Sequence, residues 1–406
     1  MLKIFWLFTV MISLFTVHCK QGTRSDQRAI RIHTETLTLD SHTDTPLDML
    51  RWDADISQNL DSSLWDGKVD LPRMQAGGLD AVFFAVWVGQ GPRTPEGNRK
   101  ANDKVSRTIQ AIHDAIESNS DRAELALTAD DAYRIEKTGK RAIYIGIENG
   151  YAIGKDLNSI KTFYDMGARY ITLCHVKNND ICDSSNDTTE HGGLSPFGEK
   201  VVREMNRLGM IVDVSHVSDD AFYDVLKISK SPIIASHSCS WATCDNPRNL
   251  SDDMLRALAQ NGGVIQVAIY TDYVKTPKPN PEREAAEKAL NEKYPDYNNM
   301  TEEEKKAVLL EWYEIDKNYP RKLASVSDFV DHIDHIVNLV GIDHVGIGTD
   351  FDGGGELIGL RDVSQMPNIT KELLKRAYSK KDICKIWSGN FLRVFRETER
   401  IAGKSE

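Results

Sequence analysis

The sequence contains no stripe of lysine and arginine residues, and its 50 basic residues are outnumbered by 61 acidic ones, for a formal net charge of −11. Nucleic-acid binding requires clustered basic side chains, so this charge pattern argues against a nucleic-acid partner. Internal repeats and low-complexity blocks are also absent from the 406 residues. The remaining composition, with 40% hydrophobic and 27% charged residues, is typical of a soluble globular protein.

Cysteine is scarce: the chain has six, without the repeated Cys-x-x-Cys spacing of a structural zinc site. Two pairs lie close together in the sequence, Cys174 with Cys182 and Cys239 with Cys244, and would be disulfide candidates in an exported protein. The alternative is that cysteines such as Cys174 and Cys384 are buried as small hydrophobic side chains. The sequence leaves both interpretations open.

The apolar run at residues 4–17 follows a short basic start and is too short to span a bilayer. It predicts a signal peptide over residues 1–19 and export of the protein. Cys19, at its end, resembles the lipidated cysteine of a bacterial lipoprotein, although residues 16–18 depart from the usual pattern; ordinary secretion and a retained anchor are the alternatives. Residues 20–31 are polar and predict a tether. A lipid on Cys19 would be the expected membrane contact, with a periplasmic or outer-membrane location.

From about residue 36 onward, short β-branched apolar runs alternate with amphipathic stretches. The eight runs span residues 37–41, 79–88, 142–147, 168–174, 210–215, 232–236, 262–269 and 344–349. Runs that are apolar on both faces are typical of parallel strands covered by helices. Their repeated alternation predicts an α/β fold, a (β/α)8 TIM-type barrel over residues 32–406, with an open doubly wound sheet as the alternative. Residues 270–319, after the seventh predicted strand, form a long helical insertion that either roofs the active site or decorates the surface.

Several of these runs end in an acid or a histidine, at the strand ends where barrel enzymes place their active sites. The first leads into His42-Thr43-Asp44, whose two outer side chains project to the same side of an extended segment. Another ends at Glu148, a carboxylate that is costly to bury unless it is paired or bound to a metal. Two consecutive runs end at His216 and His237, and neighbouring strands about 4.8 Å apart let two imidazoles converge on one ion.

Each of these residues alone has a simpler explanation. His42 and Asp44 could be a surface histidine beside a capping aspartate, Glu148 could pair with Arg169, and either later histidine could be a satisfied core residue. Together the five are a set of metal ligands, and they predict two ions that share Glu148 as a bridge. The expected ligands are His42, Asp44 and Glu148 for one ion and Glu148, His216 and His237 for the other. Zinc suits such a set, and manganese or cobalt could substitute.

Four motifs, in chain order, resemble those of the membrane (renal-type) dipeptidases, peptidase family M19, and indicate an exported bacterial member. They are Leu39-Asp40-Ser41-His42-Thr43-Asp44, Gly146-Ile147-Glu148-Asn149-Gly150, Asp213-Val214-Ser215-His216 and Gly346-Ile347-Gly348-Thr349-Asp350-Phe351-Asp352-Gly353. The similarity extends over about residues 36–397. It implies a barrel with two zinc ions that hydrolyses free dipeptides, including those with a C-terminal D-residue, through a metal-bridging hydroxide, with Glu148 as the bridging ligand.

The resemblance also implies roles for three further residues. His175 would contact the scissile region and stabilise the tetrahedral intermediate, Arg248 would bind the substrate carboxylate, and Asp350 would bind the amine and shuttle the proton. Alternatives are a packed rim position for His175, an ion pair between Arg248 and Asp252, and a metal-side or orienting role for Asp350. A homodimer is implied by the resemblance alone.

Two other functions compete with a dipeptidase. One is an amidohydrolase-type enzyme that acts on a lactone, phosphoester or cyclic amide, and the other is a metal-bound surface protein that binds peptides without turnover. Amidohydrolase barrels usually begin with His-x-His and often carry a metal-bridging lysine. The first motif here is His42-x-Asp44, and the candidate bridge is Glu148, so the sequence favours the dipeptidase.

Overall fold

The computed structural model describes residues 24–61, 65–295 and 300–403. The predicted signal peptide and Cys19 lie outside the described residues. Within the described part, no helix combines the length and the apolar character needed to cross a membrane. The strands of this part are β1 Leu39–Thr43, β2 Ala81–Trp87, β3 Ala123–Leu125, β4 Arg141–Glu148, β5 Ala168–Thr172, β6 Ile211–Asp213, β7 Ile234–Ser238, β8 Val264–Val267 and β9 Val345–Ile347.

Eight of these strands form a nearly closed parallel barrel in the order β1-β2-β4-β5-β6-β7-β8-β9. The first and last strands meet at the mouth, where the Asp350 amide donates to the His42 carbonyl over 2.9 Å and the Asp44 amide donates to the Phe351 carbonyl over 2.8 Å. The predicted barrel is therefore confirmed, and each predicted run overlaps one barrel strand. The short β3 pairs with β4 outside this path. It was not predicted, because three residues, Ala-Glu-Leu, carry too little pattern to be recognised.

Alternation along β4 places Glu148 inside the barrel. Ala142 and Tyr144 belong to the inner cluster of apolar side chains, and residues at every second position point to the same side. Gly146 continues this inner row, and a Cβ there would lie 2.0 Å from the Tyr170 ring. The glycine thus leaves room for Tyr170 to cross the interior, where its hydroxyl lies 2.9 Å from His42 Nδ1. The inner row of β4 ends at Glu148, directly at the mouth.

The strands are surrounded by helices, in line with the predicted alternation of apolar runs and amphipathic stretches. They are α1 Arg24–Thr34, α2 Thr45–Trp52, α3 Leu71–Gly77, α4 Pro95–Ser118, α5 Asp131–Glu136, α6 Asn158–Asp165, α7 Pro196–Leu208, α8 Asp219–Ile228, α9 Asp252–Gln260, α10 Thr271–Val274, α11 Pro281–Lys293, α12 Glu302–Asn318, α13 Val326–Val340, α14 Pro367–Lys375, α15 Lys380–Cys384 and α16 Asn390–Ala402. Ser195, Ser218 and Ser251 cap α7, α8 and α9, each accepting a hydrogen bond from the amide three residues later. These caps fix where each helix leaves the barrel mouth.

One sequence expectation about the N-terminal region is corrected. Residues 24–31, expected to belong to a polar tether, form most of α1, and Ala29, Ile32 and His33 of this helix are buried. His33 Nε2 donates to the Gly77 carbonyl over 2.8 Å, and burial lowers the pKa of His33, so Nδ1 of the neutral ring accepts from Thr370 Oγ1 over 2.8 Å. These contacts attach the helix to α3 and α14. The polar composition of residues 24–31 reflects the exposed face of an amphipathic helix.

The cysteines of the described residues are all present as free thiols. Cys174, Cys182, Cys239 and Cys244 are buried, and the thiols of Cys174 and Cys239 approach backbone carbonyl oxygens. The structure thus supports the interpretation of buried small side chains and contains neither candidate disulfide.

The insertion contains α10, α11 and α12 and follows β8, the seventh barrel strand. Tyr313 of α12 is half-buried near Asp48 of α2, and this partial burial and the carboxylate of Asp48 raise the pKa of Tyr313. Lys306 lies over the Trp52 ring at the end of α2, 5.8 Å from its centroid. The insertion therefore packs on the segment that directly follows β1 at the barrel mouth.

Candidate metal centre and active site

All eight residues predicted for the site lie around the mouth formed by the strand ends. His42 is in β1, His237 is in β7 and Glu148 is the last residue of β4. The remaining five lie in the connections that follow strands: Asp44 after β1, His175 after β5, His216 after β6, Arg248 after β7 and Asp350 after β9. Parallel strands bring these connections to one end of the barrel.

Four imidazoles surround the carboxylate of Glu148. Its Oε1 lies 3.0 Å from Nε2 of His216, 3.4 Å from Nε2 of His237 and 3.6 Å from Nε2 of His175. Its Oε2 lies 3.6 Å from Nε2 of His42. The two carboxylate oxygens thus face different sides of the cluster. A ligand that is shared by two metal ions requires this arrangement.

The tautomer of His237 follows from a chain of buried hydrogen bonds. Ser236 Oγ donates its only proton to Asp213 Oδ2 over 2.6 Å, so it accepts from His237 Nδ1 at 2.9 Å. His237 Nε2 is then unprotonated and directs its lone pair toward Glu148 and His216, whose Nε2 lies 2.9 Å away. A lone pair held in this way is available to a metal ion.

The charges of the site also suit a cation. Burial lowers the pKa of His216 and His237 well below its usual value, which keeps both imidazoles neutral. Burial would raise the pKa of Glu148, but the surrounding histidines outweigh it and hold this pKa well below the usual range. Burial and the Glu148 charge raise the pKa of Asp44 and Asp350 well above its usual value, because the three carboxylates repel one another. A bound cation would relieve this repulsion.

Among the described residues, several buried atoms of the site that could bind a metal have no hydrogen-bond partner: His42 Nε2, Asp44 Oδ1 and Glu148 Oε2. Buried polar atoms are almost always paired, so such a group indicates a ligand. Three overlapping sets in the described chain offer ligand atoms within 4.8 Å of one another: His42 with Glu148 and His237, Glu148 with His175 and His216, and His42 with Asp44 and Asp350. These sets share His42 and Glu148, so they fit more than one adjacent metal position. The residues present thus fit a metal centre.

A glycine permits the close approach of two carboxylates. A Cβ on Gly353 would lie 2.1 Å from Asp44 Oδ2 and 2.3 Å from Asp350 Oδ1. Asp350 has a left-handed backbone, with φ 64°, and so has His216, with φ 72°. Such backbone is uncommon outside glycine and persists where the surrounding structure fixes it, often at functional sites.

Arg248 lies on the β7–β8 side of the mouth and is buried. Its Nη2 donates to the His237 carbonyl over 3.0 Å, its Nη1 donates to Ser238 Oγ over 3.2 Å, and its guanidinium lies 5.2 Å from the centroid of the Tyr273 ring. Its Nε has no partner within the described structure. The guanidinium is thus fixed at the rim of the histidine cluster.

Two of the simpler explanations are excluded by these contacts. Arg169 does not pair with Glu148, since its guanidinium donates to the carbonyls of Leu127, Tyr164 and Ala168. Asp252 lies 2.7 Å from His335 Nε2 and also approaches Arg256, so Arg248 is not its partner. Glu148 and Arg248 are therefore both directed at the site.

Four residues of the site were missed by the sequence analysis, although all four lie within the quoted motifs or the predicted strands. Asp213 accepts from Thr172, Ser215 and Ser236, and Asp40 accepts from the Thr349 amide and hydroxyl and from the His42 amide. The Tyr170 hydroxyl contacts His42 Nδ1 from the barrel interior. The indole Nε1 of Trp87 donates to His175 Nδ1 over 3.4 Å. The signal for Asp40 and Asp213 was their position two or three residues before a ligand histidine, on otherwise apolar strands.

Comparison with known proteins agrees with this geometry. The family model described as membrane dipeptidase (peptidase family M19) matches residues 26–406. Dipeptidase tcpJ of Claviceps purpurea is 35% identical over 350 residues, covering 84% of this chain and 71% of the relative. Dipeptidase 3 of Macaca fascicularis is 31% identical and covers 90% of this chain and 66% of the relative. The crystal structure of the probable dipeptidase PvdM from Pseudomonas aeruginosa superimposes with a TM-score of 0.80 at 31% identity, over 93% of this chain and 99% of that one.

The chain belongs to the membrane dipeptidase family M19. It is accordingly a hydrolase of the metallodipeptidase type, with the barrel of that family. A metallopeptidase from Rhodobacter sphaeroides, solved with a phosphinate mimic of the dipeptide L-Ala-D-Ala, shares this fold with a TM-score of 0.72 at 23% identity, over 89% of this chain and 99% of that one.

We expect Asp213→Asn to weaken metal binding by this dipeptidase about 10- to 100-fold, the range for residues that orient metal ligands. The asparagine carbonyl can keep the Oδ1 position, which accepts from the Ser215 and Ser236 amides, so the NH2 group replaces Oδ2 and cannot accept the Ser236 hydroxyl proton. That proton then turns toward His237 Nδ1 and moves the imidazole proton to Nε2. Competition with a chromogenic chelator measures the affinity. Ser236→Ala, which removes the intervening hydroxyl, should give a similar loss. Asp224→Asn on α8, whose carboxylate pairs with Lys227 at 2.9 Å, is the control. Unchanged affinity in Asp213→Asn would contradict the positioning role.

Proposed function

We propose that this dipeptidase binds two zinc ions through His42, Asp44, Glu148, His216 and His237 and cleaves free dipeptides, including those with a C-terminal D-residue. The observation that supports this most directly is the convergence of four imidazole Nε2 atoms on Glu148, at the same barrel mouth as a buried arginine and a buried aspartate. The acceptance of a C-terminal D-residue is supported by the family resemblance of the motifs.

Zinc is favoured because histidine and carboxylate ligands with open positions suit catalytic zinc, while manganese or cobalt could replace it. When bound, such ions supply a Lewis acid for the scissile carbonyl and an activated water. Glu148 is the ligand proposed to be shared, because its two oxygens face different histidines. Asp213 and Asp40 hold the strand ends that carry His237 and His42.

Arg248 and Asp350 are proposed to recognise the two charged ends of the substrate. A free dipeptide has an ammonium and a carboxylate a short distance apart, and the planar guanidinium of Arg248 can bind a carboxylate through two parallel hydrogen bonds. Asp350 offers a carboxylate to the ammonium from the β9–β1 side. A longer or blocked peptide would leave one buried charge without its partner, which explains selection for dipeptides.

His175 is proposed to donate a hydrogen bond to the developing oxyanion. The indole N–H of Trp87 can only donate, so His175 Nδ1 accepts it and Nε2 carries the proton. Burial lowers the pKa of His175, so the ring donates as a neutral imidazole. Burial and the charge of Glu148 raise the pKa of Asp350, which suits a group that accepts a proton and returns it to the leaving amine.

Turnover of four substrates tests this function. The zinc-loaded protein is incubated with L-Ala-L-Ala, L-Ala-D-Ala, an N-acetylated dipeptide and a tripeptide, and released amino acid is measured. We expect cleavage of the two free dipeptides alone, loss of activity with a chelator and recovery with zinc. Absence of turnover in metal-loaded protein would favour a lactone, phosphoester or cyclic amide as substrate, or a protein that only binds peptides.

The location and the oligomeric state are proposals of the same kind. We propose export through the signal peptide of residues 1–19, with lipidation of Cys19 and a periplasmic or outer-membrane location, or secretion if Cys19 is not modified. Metabolic labelling with a fatty acid, lost in Cys19→Ser, distinguishes lipidation from secretion.

A homodimer is proposed from family resemblance, and light scattering of the purified protein tests it.

A further inference from the structure

The histidines on the two sides of the candidate metal centre are held by different residues. A metal-binding imidazole coordinates through one ring nitrogen, and the group that contacts its other nitrogen sets the tautomer and the orientation of the ring. For His237 this group is the hydroxyl of Ser236, which is itself held by Asp213. His42, which faces the other oxygen of Glu148, has a different partner.

The partner of His42 is a phenol. The Nδ1 atom of His42 lies 2.9 Å from the hydroxyl oxygen of Tyr170, and both side chains are buried, so bulk water does not compete for this contact. The Nε2 atom of His42 lies 3.6 Å from Glu148 Oε2 and has no hydrogen-bond partner among the described residues. An ion on Nε2 requires the proton of the neutral ring to be on Nδ1, and the phenol oxygen is then the acceptor of that proton.

Tyr170 reaches this position across the interior of the barrel. It belongs to β5, and β2 and β4 separate that strand from β1, which carries His42. Gly146 leaves the space for the tyrosine ring, since a Cβ there would lie 2.0 Å from the ring. The ring also stacks on Phe83, with the two centroids 5.2 Å apart. The hydroxyl is therefore directed at Nδ1 by packing inside the barrel rather than by hydrogen bonds between neighbouring strands.

The two supports share no hydrogen bond. Within the described structure, the carboxylate of Asp213 accepts hydrogen bonds from Thr172, Ser215 and Ser236, and the hydroxyl of Tyr170 is not among these donors. The removal of either support therefore leaves the hydrogen bonds of the other in place, so each can be tested by itself.

We propose that Tyr170 is a positioning residue for one metal position alone, the position to which His42 contributes. Asp213 serves the other position, through Ser236 and His237. The inference rests on the proposed function, in which the centre holds two ions. Without the phenol oxygen, the Nδ1–H group of His42 has no acceptor when Nε2 binds an ion, and a buried donor without a partner is costly. That cost falls on the ion at His42 and not on the other ion.

Tyr170→Phe tests this assignment, because it removes the hydroxyl and keeps the ring that packs beside Gly146. Zinc is added back to the metal-free protein, and calorimetry with competing chelators measures the affinities of the two equivalents separately. We expect one equivalent to bind about 10- to 100-fold more weakly and the other to be unchanged. Tyr144→Phe is the matched control, since this buried tyrosine also stacks on Phe83, at 4.7 Å, but its hydroxyl donates to the Thr128 carbonyl. Both affinities should be unchanged in the control.

Two combined variants show which position is affected. Tyr170→Phe/Asp213→Asn should weaken both equivalents, because separate supports act additively. If Tyr170 and Asp213 served the same ion, the double variant would keep one equivalent at full affinity. In Asp44→Ala, which lacks a proposed ligand of the ion at His42, the addition of Tyr170→Phe should leave the affinity of the remaining equivalent unchanged.

Equal weakening of both equivalents in Tyr170→Phe, or no weakening, would overturn the inference. A double variant that keeps one equivalent at full affinity would also overturn it. These are binding measurements, so they are independent of turnover. If the selective loss is found and no dipeptide is cleaved, the proposed activity fails and the inference stands. If dipeptides are cleaved and Tyr170→Phe binds both ions as the unmodified protein does, the inference fails and the proposed activity stands. A protein that binds a single equivalent contradicts the inference together with the pair of ions.

Discussion

Glu148→Gln is expected to abolish metal binding and dipeptide hydrolysis together, with kcat/KM lowered about 10³-fold or more, since metal ions supply several kcal/mol of transition-state stabilisation. The carboxylate faces three imidazoles through Oε1 and a fourth through Oε2. Glutamine keeps the shape but loses the negative charge and one of the two ligand oxygens. Metal content by atomic absorption after dialysis, together with initial rates, measures both losses.

This loss is distinguishable from unfolding. Burial and the charge of Glu148 raise the pKa of Asp44 and Asp350, while the surrounding histidines hold the pKa of Glu148 well below its usual range, so removing the carboxylate relieves one repulsion and loses one attraction in the metal-free protein. The metal-free variant should therefore keep a single cooperative melting transition, while the rise in Tm on adding zinc disappears, because a ligand stabilises only the form that binds it. Glu199→Gln, a substitution in the first turn of α7, is the control. Full metal occupancy in Glu148→Gln would refute the shared-ligand role.

The sequence predicted the barrel and the location of the site because both depend on local patterns. Short β-branched runs identify parallel strands, and an acid or histidine at the end of an apolar run is unusual enough to be recognised. His216 and His237, 21 residues apart, come together because β6 and β7 are neighbours in the sheet. The strand order of a barrel thus turns separate sequence signals into one cluster.

What the sequence could not predict depends on side-chain geometry across the barrel. Asp213 is part of a quoted motif, but it orients His237 indirectly, through the hydroxyl of Ser236. This role depends on hydrogen-bond directions, which the sequence does not contain. Tyr170 reaches His42 only because Gly146 on the neighbouring strand leaves space for its ring. The helical state of residues 24–31 depends on packing of Ile32 and His33 against distant parts of the chain. Each of these needs contacts between residues far apart in sequence.

Arg248→Ala is expected to raise KM and to lower kcat/KM for free dipeptides about 10²- to 10³-fold, which corresponds to breaking a desolvated charge pair at about 2–5 kcal/mol. The guanidinium is buried and its Nε has no partner among the residues that the structure describes, so it can bind a carboxylate without competition from water. Arg248→Lys should recover only part of the loss, because an ammonium cannot make two parallel hydrogen bonds. Steady-state kinetics with L-Ala-L-Ala measures both variants.

A comparison with the dipeptide amide separates substrate binding from a merely structural role of Arg248, which also donates to the His237 carbonyl. The unmodified protein should discriminate strongly against L-Ala-L-Ala amide, which lacks the terminal carboxylate. Arg248→Ala should cleave the free dipeptide and its amide at similar rates, because the group that distinguishes them is gone. Arg256→Ala on α9, whose guanidinium pairs with Asp253 at 2.8 Å, should leave the discrimination intact. If Arg248→Ala is slower on both substrates yet keeps the full preference for the free dipeptide, Arg248 supports the strand end that carries His237 and another residue binds the carboxylate.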